Sequence, residues 1–276
     1  MQYIRQPAVA GTFYPGHKEI LESDVSAMLK AARMEAADNA QPGNQLPPKA
    51  LIVPHAGYIY SGPIAATAYA TLARVSDRIK RVILLGPVHR VPVRGLALPG
   101  ADVFATPLGQ IQIDKDAVAA IENMPQVIES SAAHGQEHSL EVQLPFLQMM
   151  LDDFTLLPLA VGDATPEEVA EVLDTLWDGP ETLIVISSDL SHFLPYQAAQ
   201  LIDGETVQNI LQLRSTLNHQ QACGGTPVNG LLQAAKSHHL QPHLLDLRNS
   251  GDTAGDKDRV VGYASFAFTE GHAHAG

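Results

Sequence analysis

Three short apolar runs constrain the fold of this chain more than any other feature: Ala50-Leu51-Ile52-Val53, Arg81-Val82-Ile83-Leu84-Leu85-Gly86 and Thr182-Leu183-Ile184-Val185-Ile186-Ser187. Each is β-branched, too short for a globular helix, and without the apolar/polar alternation of a strand that is wet on one side. Such runs build strands buried on both faces, and those occur in parallel sheets that carry helices on either side. The intervening sequence supplies the helices. Ile20, Leu21, Val25, Met28, Leu29 and Ala32 recur at helical spacing after the turn at Pro15-Gly16. Thr165-Pro166-Glu167-Glu168 reads as N-cap, N1 proline and N3 glutamate, followed by the stripe Val169, Val172, Leu173, Leu176 and the stop Asp178-Gly179-Pro180. Pro145 should start or kink a helix within 139–151, and later helices are expected at 195–213 and from a Thr226 cap with Pro227 at N1 to Lys236. A last strand covers 260–268. The expectation is one three-layer α/β domain over residues 1–276 with a mainly parallel central sheet, a surface loop at 34–48 and a frayed tail at 270–276.

Charge narrows the partners. The 276 residues carry 30 acidic and 17 basic side chains, a formal charge of −13, which repels phosphate backbones and anionic membranes. No stretch reaches the 18 or so apolar residues of a membrane span. A single cysteine, Cys223, forms no internal disulfide, and the first residues lack the apolar run of a secretory signal, so a cytoplasmic protein is expected.

The polar residues that follow the strand runs carry the chemistry. Pro54-His55-Ala56-Gly57-Tyr58, Pro87-Val88-His89-Arg90 and Ser188-Asp189-Leu190-Ser191-His192 each stand directly after one run. In a parallel sheet all three lie at the carboxyl edge, where open α/β folds bind ligands. Cys223-Gly224-Gly225-Thr226-Pro227 sets the cysteine before an expected helix start, whose positive end favours a thiolate, both nucleophile and metal ligand. His134 and His138 flank Gly135-Gln136-Glu137; the glycine disfavours a helix across the pair, so a pocket-lining loop is expected there. The phosphate-binding glycine loops of nucleotide enzymes and the Gly-x-Ser-x-Gly elbow are absent.

Longer stretches bear a family likeness. Val53-Pro54-His55-Ala56-Gly57-Tyr58-Ile59-Tyr60-Ser61-Gly62, Leu85-Gly86-Pro87-Val88-His89, Glu137-His138-Ser139-Leu140-Glu141 and Ser187-Ser188-Asp189-Leu190-Ser191-His192 together resemble the Memo family. Arg5-Gln6-Pro7-Ala8-Val9-Ala10-Gly11-Thr12-Phe13-Tyr14-Pro15, Thr106-Pro107-Leu108-Gly109, Cys223-Gly224, Asn249-Ser250-Gly251-Asp252 and Val261-Gly262-Tyr263-Ala264 extend the resemblance over nearly the whole chain. Bacterial members of that family are known as AmmeMemoRadiSam system protein B. The resemblance implies a fold like that of the class III extradiol dioxygenases, with one metal ion at the sheet edge. Carried over by position, the metal ligands are His55, His89 and Cys223, with Asp189 and His192 beside them and His192 in the place of the acid/base histidine.

Two imidazoles and a thiolate suit Fe, Cu or Zn, and the third ligand differs from the carboxylate of Fe(II) dioxygenases. The leading functional expectation is a metal-dependent redox enzyme acting on a small molecule or a peptide, with His192 moving protons and Asp189 orienting a partner. Tyr14, Tyr58, Tyr60 and His138 would line its pocket. A peptide-binding accessory protein using the same pocket and a zinc-water hydrolase are the alternatives, and the bacterial family name points to a radical SAM protein in the same pathway.

Overall fold

The computed structural model describes residues 2–38 and 46–271. It begins with β1 (Ile4–Arg5) and α1 (Lys18–Asp38), then β2 (Pro48–Val53), α2 (Tyr58–Ala70), β3 (Arg81–Pro87), β4 (Leu96–Leu98), β5 (Val103–Thr106) and β6 (Gly109–Gln112). There follow α3 (Lys115–Ile121), β7 (Val127–Glu129), α4 (Ser131–Gly135), α5 (Leu144–Met150), β8 (Thr155–Val161), α6 (Pro166–Thr175) and β9 (Thr182–Ser187). The chain closes with β10 (His192–Leu194), α7 (Tyr196–Leu211), α8 (Gly225–Ser237), β11 (Leu240–Asn249) and β12 (Val260–Glu270).

The three apolar runs are β2, β3 and β9, and they are neighbours. The large sheet has the order β10-β12-β2-β9-β3-β8-β4-β7, with β11 also on β12. Its centre, β2-β9-β3-β8, is parallel, while β12 joins β2 and β4 joins β8 in antiparallel sense. The last strand, β12, thus lies antiparallel in the sheet, both to β2 and to β11, the strand before it. β1, β5 and β6 form a separate three-stranded sheet.

Strand side chains alternate between two cores, as burial on both faces requires. Leu51, Val53, Val82, Leu84 and Val185 face Leu21, Val25, Tyr69, Phe146 and their neighbours on α1, α2 and α5. Ala50, Ile52, Ile83, Leu85, Ile184 and Ile186 face Val169, Leu173, Val228, Leu231 and Leu232 on α6 and α8. Three layers result. Tertiary burial decides the helices too: α2 continues through Pro63 because Ile64, Ala65, Ala68 and Tyr69 are buried, each large apolar side chain contributing about 1.5–3 kcal/mol.

Helix ends follow the sequence with two corrections. The Thr165 hydroxyl accepts from the Glu168 amide at 3.2 Å and the Glu168 carboxylate accepts from the Thr165 amide at 2.8 Å, the reciprocal cap expected for α6. α8, by contrast, starts earlier than Thr226. Its cap is Gly224, with no side-chain cap, and Pro227 stands third in the helix. α1 runs to Asp38 through good helix formers, so 34–38 are helix rather than loop, and β2 already begins at Pro48. The rest of the expected loop, 39–45, lies outside the described residues, as does most of the expected tail, of which Glu270 is still in β12. Among the described residues no helix is long and apolar enough to cross a membrane.

Candidate metal centre

The parallel centre of the sheet brings the polar segments together at one edge, as its topology requires. His55 follows β2, His89 follows β3, Asp189 and His192 follow β9, and the loop before α5 adds His138. The rings of His55, His89 and His138 lie 4.6–5.4 Å apart, centroid to centroid. One ligand atom from each lies within 4.8 Å of the others, so this group could hold a metal ion.

Hydrogen bonding fixes which ring nitrogen is free. The Ser187 hydroxyl donates its only proton to Ser139 O at 2.6 Å and accepts from Gln143 Nε2 at 3.0 Å. Its contact with His55 Nδ1 at 2.9 Å must then be one in which the ring donates, which leaves Nε2 of His55 as the bare lone pair. Glu137 does the same for His89. Its carboxylate accepts from His89 Nδ1 at 2.9 Å, from the His89 amide at 2.6 Å, and from the amides of His138 and Ser139 at 2.9 Å each. Burial raises that carboxyl, but the bond and charge of His89 with the two neighbouring amides overcome it and hold the pKa at about 2. Such a carboxylate–histidine pair orients a ligand ring and raises its basicity. His138 Nδ1 lies 3.3 Å from the same carboxylate. Burial, then the neighbouring histidines, depress His55 and hold His138 at about 4, so these rings are neutral near pH 7 and fit to bind a cation.

Cys223 adjoins the group through His55. Its Sγ is 3.2 Å from His55 Nε2 and accepts from the Asp189 amide at 3.3 Å. The helix start does not make it a thiolate: burial, then the charge of Asp189, push the thiol up to about 12. Burial thus overrides the depressed pKa expected from the helix start. Gly224 is needed for packing instead, since a Cβ there would stand 2.7 Å from Ser188 Cβ and 2.9 Å from Ser187 O.

Asp189 orients protein rather than a free partner. It is buried, accepts from the His55 amide at 2.7 Å, and burial raises its carboxyl to about 7. His192 is half-buried; its Nδ1 donates to Leu190 O at 2.9 Å, which leaves Nε2 free, and burial, then His89, lower its pKa.

Two of the expected pocket tyrosines belong to the core. Tyr14 is buried with its hydroxyl on Glu141 at 2.6 Å, and Tyr58 is buried with its hydroxyl on Val142 O at 2.7 Å. Only Tyr60, 38% exposed, remains open to solvent. His134 also belongs to the scaffold, in α4, with Nε2 2.7 Å from Ala97 O.

A buried pair ties the outer loop down. Glu141, wholly buried, takes Arg5 in a salt bridge and accepts from the amides of Ala8 and Val9 at 2.8 and 3.0 Å. Arg5 also donates to His134 O and to Glu137 O at 2.8 Å, and so fastens both ends of the 134–141 segment that presents Glu137 and His138. Sequence reasoning does not single out Glu137, Ser187 or Gln143 as orienting groups. The available signal was a buried acid beside His138 and a serine closing the β9 run.

Comparison with known protein families matches residues 5–267 to the Memo-like proteins. The chain belongs to the Memo family. "MEMO1 family protein" of Sulfurisphaera tokodaii is 36% identical over 290 residues, covering 96% of this chain and 99% of that one. The proteins of the same name from Aquifex aeolicus and Metallosphaera sedula are 35% and 34% identical, each over 96% of this chain and 99% of the relative. Among solved structures, uncharacterized protein JW3007 from Escherichia coli K12 superposes with a TM-score of 0.51 at 15% identity, covering 79% of this chain and 98% of that one. That likeness is one of fold, an α/β protein. Within this Memo chain the matched span opens at Arg5, the residue that fastens the His138 loop, and contains every residue of the candidate centre.

Proposed function

We propose that the protein is a metal-dependent enzyme of redox type that acts on a small molecule or peptide at the carboxyl edge of the sheet. The observation that carries this reading is the convergence of four histidines there, three of them grouped and the fourth, His192, beside them with its Nε2 free. The donor set suits a transition metal: imidazoles whose Nδ1 is held by Ser187 or Glu137 leave Nε2 as the ring nitrogen open to Fe, Cu or Zn.

His55 and His89 would be two of the ligands, and Cys223 the third. Cys223 Sγ stands 3.2 Å from His55 Nε2, near enough for the two to share one ion. Cys223, held as the thiol by burial and by Asp189, would bind a metal as the thiolate and give up its proton on doing so. When bound, the metal would supply Lewis acidity and, as Fe or Cu, electron transfer. The chain supplies the rest. His192, neutral at physiological pH, takes a proton at Nε2 and returns it, while Leu190 O holds its Nδ1–H in place. Asp189 fixes the His55 backbone.

A second reading is favoured by the grouping of His55, His89 and His138: three nitrogen ligands with an open position suit zinc and an activated water. The test is the native metal of protein purified without oxygen, followed by reconstitution. Oxygen uptake with Fe(II) or Cu(I) that is lost in His192→Ala supports the redox reading. Turnover confined to activated esters with Zn(II) would replace it by the hydrolase.

A further inference from the structure

The bend that presents His192 is held from behind by a carboxylate the site chemistry does not use. Asp203, on α7, is buried, and its Oδ1 accepts from the Ser191 amide at 3.0 Å. Burial raises its carboxyl, and what counters that burial comes from Ser191 rather than from a cation. The same bend is also closed by β12: the Leu190 amide donates to Gly262 O and the Gly262 amide to Ser191 O, each at 2.8 Å. Gly262 admits the carboxylate against its Cα, for a Cβ there would stand 2.0 Å from Asp203 Oδ2. Beyond the clamp the chain is irregular. Phe193 has φ +59°, a left-handed conformation rare for a bulky residue, and is 59% exposed where the β10–β12 register breaks between His192 and Leu194.

Strain of that kind persists only where the surroundings over-determine the backbone. Here the surroundings are Asp203 and Gly262, and what they fix is Leu190 O, the acceptor that selects the Nδ1–H tautomer of His192. We propose that Asp203 is a positioning residue: by accepting the Ser191 amide it locks the 190–192 bend and, through Leu190 O, keeps the Nε2 of His192 free. This rests on the reading of His192 as the proton carrier, but its test needs no turnover.

The experiment is nitrogen-15 spectroscopy of histidine-labelled protein, wild type, Asp203→Ala and Asp203→Asn, with the His192 resonances assigned by loss in His192→Ala. Wild type should show the single Nδ1–H tautomer at His192. Asp203→Ala should show a mixture of both tautomers, and Asp203→Asn, which keeps an accepting oxygen, should restore the single one. Zn(II) affinity should change by less than about threefold in either variant, because no bond to His55 or His89 is touched. A single Nδ1–H tautomer in folded Asp203→Ala, even with lowered stability, would overturn the proposal. So would a mixed tautomer in folded Asp203→Asn, which also decides the matter if the alanine variant does not fold.

Discussion

Replacing Arg5 with Met should remove a large share of the stability, and the structure sets the size of the loss. The guanidinium is 5% exposed and its partner Glu141 0%. Removing one partner of a buried pair leaves an uncompensated charge and costs about 3–5 kcal/mol. Glu141 would keep the Tyr14 hydroxyl at 2.6 Å and the amides of Ala8 and Val9, so the lower half of that range applies. Against that relief stands the carbonyl of Glu137, which loses its Arg5 donor, while that of His134 keeps the Glu137 amide at 3.3 Å. A net loss of about 4 kcal/mol is expected, out of a total of about 5–15 kcal/mol for a folded domain. Equilibrium urea denaturation measures it, in a cycle with Glu141→Gln. The double variant should be more stable than additivity allows by about 2 kcal/mol or more, because the neutral amide no longer needs the cation. A loss below about 1 kcal/mol for Arg5→Met, or an additive cycle, would refute the account of this pair.

Three further outcomes follow from the same geometry. Glu137→Ala should lower metal affinity by about 10–100-fold by titration calorimetry, as loss of a group that orients a ligand histidine does; unchanged affinity would remove Glu137 from that role. Gly224→Ala forces a Cβ to 2.7 Å from Ser188 Cβ and should cost about 1–3 kcal/mol in denaturant, with an unaltered midpoint contradicting the close packing. Burial raises the Asp114 carboxyl, but the Arg81 bond at 2.7 Å, the Ala117 amide and the Thr155 hydroxyl outweigh it and hold it below 3.8. Its folded pKa being the lower one, the stabilisation is full above 3.8 and lost as pH falls below that value; Asp114→Asn should flatten this acid limb of stability, and an unchanged limb would disprove it.

The parts of this molecule legible in sequence are those governed by local pattern. The runs at 50–53, 81–86 and 182–187 mark buried strands by themselves, and residues directly after a strand are carried wherever its end goes, so His55, His89, Asp189 and His192 could be placed at one edge. The antiparallel entry of β12 was not legible, since an apolar run has the same composition in either direction. Cys223 shows the limit most clearly. A cysteine before a helix reads as a thiolate, yet desolvation outweighs the helix end, and nothing local to 223–227 reveals how deeply the sulfur lies beneath Ser188 and His55. Tyr14 and Tyr58 look like pocket residues because they stand in motif-rich segments; their hydroxyls are spent on Glu141 and Val142, partners more than 80 residues away.

X-ray absorption of protein loaded with one equivalent of Zn(II) under nitrogen tests the metal centre most directly, because it counts sulfur and nitrogen ligands without requiring a substrate. The account predicts imidazole scattering together with one sulfur at about 2.3 Å, the sulfur vanishing in Cys223→Ser and the imidazole signal falling in His55→Ala and His89→Ala. A wild-type shell of nitrogen and oxygen alone would contradict it, giving the third position to His138 and leaving Cys223 as a neighbour of the site.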